Sequence, residues 1–278
     1  MSESKLRADI VEVGRRLHAR EYVASNDGNI SVRLDAGRLM TTPKGVSKGF
    51  MTPDMLVVAD MKGNRLSGDR DPSSEILMHL AVYELRPDIK AVVHAHPPVA
   101  TGFAVAGIPL DRAVLAEVLT TLGSIPIADY GTPSTMELAD AVRKYIRAHD
   151  GLLLANHGAL TAAGDVMAAY YKMETIEHFA RITLVARLLG GERLLSRQEV
   201  ERLQGLRGTY GIAAPAELCP PDQPAGADEV TCQVVRAPSS PDERIVAVQR
   251  SGGVGEGEIR LTYRELTALI EDAVRNLR

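Results

Sequence analysis

The run AVVHAHPPVA, residues 91–100, constrains the fold more than any other stretch of the chain. Its apolar, β-branched character predicts a buried strand, and alternate side chains on a strand share a face. His94 and His96 therefore point the same way, and the two prolines that follow end the strand. Two imidazoles meeting at the end of a buried strand need either separate hydrogen-bonded niches or one shared cation.

The rest of the chain alternates short strand patterns with amphipathic helices. Leu6, Ile10, Val13 and Leu17 recur at helical spacing over residues 3–20. SNDGNISVRL and GRLMTTPKG predict a hairpin turning at Asp35-Ala36-Gly37, and MLVVADM begins a second pair turning at Lys62-Gly63-Asn64. PSSE opens a helix that Arg86-Pro87 ends. IKAVVHAH and SIPIADY predict strands, a helix follows near 134–148, and GLLLANHGALT predicts a strand pair. The longest helix spans about 165–189, and SRQEVERLQGL adds another. Hairpins mixed with helices predict an α/β layered domain with much antiparallel pairing.

That pattern of strands and helices covers residues 1–210. Residues 211–242, rich in Pro, Ala and Ser, predict a linker. Residues 243–278 form an appendage ending in a helix with a capping box, Thr262 and Glu265, and one apolar stripe. Such a helix can dock on its own domain or on a partner; it resembles the encapsulation helices that target enzymes to bacterial microcompartments, which implies a shell as that partner.

Composition bounds the function. The 278 residues are 45% hydrophobic and 24% charged, enough to build a core without disulfide staples. A net charge of −4 without a Lys/Arg block argues against nucleic acid. The charged start lacks a signal-peptide core, and no apolar run approaches a membrane span, so a cytoplasmic protein is expected. Cys219 and Cys232 are too few for a disulfide framework and too widely spaced for CxxC; free thiols are expected.

His157, in LLLANHGAL, ends a further apolar run. Alone it is an ordinary turn or core histidine. With His94 and His96 it makes three imidazoles at strand ends, a set best explained by one divalent ion such as Zn²⁺. His18 and His149 sit on charged helix stretches and should be solvated. His79 and His178 each follow a glutamate by four residues, Glu75 and Glu174, a spacing open to ligation or to a simple helix-surface pair.

Ser73 and Ser74, at the expected start of a helix, offer hydroxyls beside free backbone N–H groups and suit a phosphate, or merely a cap. The turns at 25–29 and 42–45 add further N–H donors. GxxxxGK[ST] is absent, which favours a small phosphorylated molecule over a nucleotide. Glu75 either balances the helix dipole or moves a proton between metal and phosphate.

GNISVR, TTPKG, PSSE, HAH and NHG, in this order, resemble the class II aldolase/adducin family over about residues 5–210. The resemblance implies a three-layer α/β/α fold around a largely antiparallel sheet and a homotetramer with active sites between subunits. It implies a metal held by His94, His96 and His157, with Glu75 as metal-side carboxylate and catalytic acid/base. Gly28, Asn29, Thr42, Gly45, Ser73 and Ser74 would hold a substrate phosphate. Tyr210 would lie on the aldehyde side, whereas Ala113 stands where the family's aldolases have a second tyrosine. Glu75, an aspartate in the epimerases, leans towards an aldolase that splits a ketose 1-phosphate into dihydroxyacetone phosphate and an aldehyde. The substrate would resemble L-fuculose 1-phosphate or a 5-deoxyribulose or methylthioribulose 1-phosphate. Epimerisation, dehydration or keto-acid phosphate decarboxylation in the same site, and an adducin-like structural role, are the alternatives.

Overall fold

The structure, a computed structural model, describes residues 2–209, 212–213, 215–220 and 230–238. Helix α1 (Glu3–Ala19) starts where the Ser2 side chain accepts from the Lys5 N–H, and it buries Ile10, Val13 and Leu17. Strands β1 (Asn29–Arg33) and β2 (Arg38–Thr41) form the expected hairpin, with the Asp35 carboxylate accepting from Gly37 N–H in the turn. Strands β3 (Val57–Asp60) and β4 (Arg65–Ser67) form the second, tightened by Asp60, which accepts from the N–H groups of Lys62 and Asn64.

Helix α2 (Ile76–Leu85) leads to β5 (Ala91–Ala95), and Pro98 opens α3 (Pro98–Val105). Next come α4 (Ala116–Thr121), β6 (Ile127–Ala128) and α5 (Met136–Ile146). A tight turn joins β7 (Gly151–Leu154) to β8 (Gly158–Ala163). The 23-residue α6 (Val166–Leu188) follows, then α7 (Arg197–Leu206), which begins with a capping box of Ser196 and Glu199.

The strands make one sheet in the order β4-β3-β2-β1-β5-β8-β7-β6, antiparallel throughout except for β6 with β7. Alternation along each strand divides the core into two. Ile30 and Val32 of β1 and Ala91, Val93 and Ala95 of β5 pack with α1, α3 and α6. Val92 and, from β8, Leu160 and Ala162 pack with α2 and α5 on the other face. The result is the expected α/β/α sandwich with a largely antiparallel sheet.

Three local readings are corrected. The helix after PSSE begins at Ile76 with Glu75 as its cap, so Ser73 and Ser74 lie in the turn before it. His149 is buried, not solvated: its Nε2 meets Ser124 Oγ at 3.2 Å and its Nδ1 faces the Tyr145 carbonyl. Cys219 and Cys232 are joined in a disulfide. Spacing arithmetic misses this pair because residues 217–219 and 233 meet as a bridge, with Cys219 N–H donating to Gln233 O and Gln233 N–H to Glu217 O.

The described parts of 211–242 therefore include a packed strap. Val235 joins Ala113, Leu119 and Val200 in a third small core, and Gln233, fully buried, donates to the Ala148 carbonyl. Arg236 pairs with Asp111. The terminal helix expected near 262–277 lies outside the described residues.

Candidate active site

The pairing of β1 with β5 sets Asn29 opposite His94. Asn29 and His94 point to the α2 side of the sheet, where Glu75 caps that helix. The same antiparallel register, continued past both strand ends, sets Asp27 opposite His96, and Asp27 Oδ2 lies 3.5 Å from His96 Nδ1. Gly28 must be glycine: its φ is +69°, and a Cβ would sit 2.8 Å from the His94 carbonyl.

His157 enters from the β7–β8 turn, held by its N–H on the Leu154 carbonyl. Gly158 lets β8 approach the end of β5, since a Cβ there would lie 2.6 Å from both the Ala95 carbonyl and His96 Cδ2. The three rings meet with centroids 4.7–5.0 Å apart, and one nitrogen from each lies within 4.8 Å of the others.

The electrostatics suit a cation. His94 Nδ1 lies 2.9 Å from the Ala159 carbonyl, which fixes the proton on Nδ1 and leaves the Nε2 lone pair free. Burial lowers the His94 pKa to about 3, and burial also lowers that of His96, so both rings are neutral near pH 7. Glu75 sets Oε1 3.2 Å from His157 Nε2 and Oε2 3.4 Å from His94 Nε2. Burial alone would raise its pKa, but His94, His157 and the Asn29 amide outweigh it and hold the carboxyl below the usual range. Burial disfavours a His94 cation, so the carboxylate faces a neutral His94 ring. Buried Glu75 Oε1 makes no well-aligned hydrogen bond among the described residues and faces His157 Nε2. Three imidazole nitrogens, a carboxylate and outer partners on two rings could hold a divalent ion.

The residues expected around a phosphate lie beside this cluster. Ser73 N–H donates to the Thr42 carbonyl and Lys44 N–H to the Asp71 carbonyl, so the PSSE and TTPKG segments run side by side. Thr42 Oγ1 accepts from Ile30 N–H and is occupied in the fold, whereas Gly45 and Ser74 are exposed. Ser73 Oγ accepts from Glu75 N–H. The side-chain amide of Asn29 is turned to Glu75, with Nδ2 donating to Oε2 at 2.7 Å. Tyr210 lies outside the described residues. Ala113 is fully buried in the third core, under the strap.

Sequence reasoning missed Asp27, although the register that pairs Asn29 with His94 points straight to it. It also missed Lys48, which is buried and donates from Nζ to the carbonyls of Asn26 and Val46, tying the two glycine-bearing turns together. Burial lowers its pKa to about 8, against the opposing pull of Asp27 and Glu75. His79, a possible ligand by spacing, faces Asn29 and Ser31 instead. His178 is exposed on α6.

Fold, histidine cluster and motif order agree with one family. The description "Class II Aldolase and Adducin N-terminal domain" matches residues 8–184, and the chain belongs to that family. A 5-deoxy-D-ribulose 1-phosphate aldolase of Bacillus thuringiensis serovar kurstaki is 33% identical over 208 residues, 74% of this chain and 97% of that protein. A 3-oxo-tetronate 4-phosphate decarboxylase of Haemophilus influenzae is 33% identical over 202 residues, 70% of this chain and 94% of that protein. A solved L-fuculose 1-phosphate aldolase superposes with a TM-score of 0.69 at 32% identity, covering 74% of this chain and 97% of that one.

Proposed function

We propose that the protein is a metal-dependent aldolase that cleaves a ketose 1-phosphate between C3 and C4 into dihydroxyacetone phosphate and an aldehyde. The observation that carries this reading is the convergence of His94, His96 and His157 on one point beside Glu75. A divalent ion such as Zn²⁺, held by the three imidazoles, would supply Lewis-acid stabilisation of the charge that develops on substrate oxygens.

The chain's own groups do the rest. Gly28, Asn29, Thr42, Gly45, Ser73 and Ser74 line the phosphate pocket, with the exposed Gly45 and Ser74 best placed to donate to it, and so set the register of the sugar. Glu75 Oε2 is held by Asn29, which leaves Oε1, 3.2 Å from His157 Nε2, to carry the proton lost from the C4 hydroxyl to C3 of the three-carbon fragment as the C3–C4 bond breaks. No lysine Schiff base is required. Tyr210 serves the aldehyde end. Ala113, where the resemblance has a tyrosine, supplies no hydroxyl, which favours a small or apolar aldehyde, as from a 5-deoxyribulose or methylthioribulose 1-phosphate.

Assembly as a homotetramer, with sites between subunits, is supported by apolar side chains left exposed at the end of α6, among them Leu188 and Leu189. Among the described residues no helix is long and apolar enough to cross a membrane. We place the reaction in the cytoplasm, where a charged sugar phosphate is retained, although a disulfide such as Cys219–Cys232 is uncommon there. A panel of ketose 1-phosphates, with dihydroxyacetone phosphate trapped by coupled reduction, tests the reaction. Release of carbon dioxide from a keto-acid phosphate, with no triose phosphate from any ketose, would contradict it.

A further inference from the structure

Behind Glu75 lies a buried file of polar side chains that the reaction itself does not use. Tyr83 Oη is 2.8 Å from Ser31 Oγ, and Ser31 Oγ is 2.6 Å from His79 Nδ1. His79 Nε2 is 2.5 Å from Asn29 Oδ1, and Asn29 Nδ2 is 2.7 Å from Glu75 Oε2. Ser31, His79 and Tyr83 are each no more than 1% exposed, so water does not compete for these bonds.

The direction of every bond follows from the carboxylate end. An ionised carboxylate only accepts, so Asn29 presents its NH₂ to Glu75 and its carbonyl oxygen to His79. A carbonyl oxygen also only accepts, so His79 carries its proton on Nε2. Burial lowers the pKa of His79 to about 4, which keeps the ring neutral and leaves Nδ1 an acceptor. Ser31 must then donate to Nδ1, and Tyr83 must donate to Ser31. All four donors point towards Glu75, and bonds aligned in this way strengthen one another.

We propose that His79 is a positioning residue for Glu75. It acts as an Nε2–H donor that locks the Asn29 carboxamide with its NH₂ edge on Oε2, so that Oε1 faces the reacting carbon. Without that donor the carboxamide is free to turn over, which would set its carbonyl oxygen against the carboxylate and swing Glu75 out of line. The alternating face of β1 makes this possible, because Asn29 and Ser31 share one face and bracket the ring that α2 presents. The kinetic part of the proposal rests on the aldolase reading; the tautomer does not.

The experiment has two arms. Ring ¹⁵N NMR of the metal-free, full-length chain should show His79 as the neutral Nε2–H tautomer near pH 7, and Ser31→Ala should shift its Nδ1 signal. An Nδ1–H or charged ring would overturn the relay. In the metal-loaded enzyme, His79→Leu should lower kcat by roughly tenfold or more, short of the ~10²–10⁴ expected for losing the carboxyl's proton transfer. Metal content should hold, the melting temperature should fall because the buried Asn29 carbonyl loses its donor, and His79→Gln, which restores an N–H donor, should recover much of the rate. An unchanged kcat in a folded His79→Leu enzyme, or no difference between Leu and Gln, would overturn the positioning role. If His79→Leu fails to fold, Ser31→Ala and Tyr83→Phe carry the kinetic arm, with smaller losses of kcat at constant KM expected and unchanged kcat in both contradicting it. Should the wild-type chain cleave no ketose 1-phosphate, the aldolase reading fails while the NMR arm still decides the relay.

Discussion

His96 Nε2 lies 3.1 Å from His94 Nε2, a separation at which two neutral ring nitrogens either share a proton or face a common cation. That closeness depends on Gly158, whose missing side chain is the space His96 Cδ2 occupies at 2.6 Å from the Cβ position. Gly158→Ala should therefore push His96 away from His94. The expected outcome is a folded protein whose affinity for Zn²⁺ falls by ~10–100-fold, the range for disturbed ligand support. Titration of the metal-free variant with a competing chelator measures it, and wild-type affinity would show that His96 is not held by this contact.

Glu75, the proposed acid/base, is close to two of the imidazoles. Glu75→Gln keeps the shape and the Asn29 side of the site but cannot accept a proton. The variant should retain its metal and lose roughly 10²–10⁴-fold in kcat. Metal analysis beside steady-state kinetics separates the two roles. Full activity would remove Glu75 from the chemistry.

Buried neutral histidines make the fold sensitive to acid. Burial lowers the pKa of His149 from 6.5 to about 4, and His79 behaves likewise. Between those values the unfolded chain holds protons that the folded chain does not, so stability falls as pH drops from about 6.5 towards 4. Each such ring contributes roughly 1.4 kcal/mol per pH unit in that window. Urea unfolding of metal-free protein at a series of pH values should show the slope, and His149→Gln should lessen it by about one histidine's share. An identical slope in the variant would mean that His149 is protonated in the folded state.

The Cys219–Cys232 disulfide closes the strap that covers Ala113 and buries Gln233. Closing a loop of this size stabilises by about 3 kcal/mol on chain-entropy grounds. Reduction, or Cys219→Ser, should lower the melting temperature while leaving the metal content intact, because the histidines lie in a different core. Calorimetry with and without reductant reads the effect; equal melting curves would mean that the strap holds without the bond.

Much of this architecture was legible in the sequence. The order of strands and helices, the α/β/α layering and the approach of His94, His96 and His157 follow from periodicity and from five motifs. What was not legible depends on tertiary register. Asp27 meets His96 only because Asn29 pairs with His94, and His79 looks like a ligand by spacing until β1 places Asn29 and Ser31 on either side of its ring. His149 sits in a charged stretch, yet it is buried against Ser124 and the Tyr145 carbonyl. The cysteine pair escaped because its partners meet through a bridge between segments of irregular backbone.

The account depends on one divalent ion held by His94, His96 and His157. X-ray absorption on the purified full-length protein, with elemental analysis, tests it most directly. The account predicts one ion per chain with three imidazole nitrogens at about 2.0–2.1 Å if the ion is zinc, and the loss of both ion and turnover in His96→Ala. A protein that cleaves its sugar phosphate without any bound metal, or a His96→Ala variant that keeps ion and activity, would contradict it.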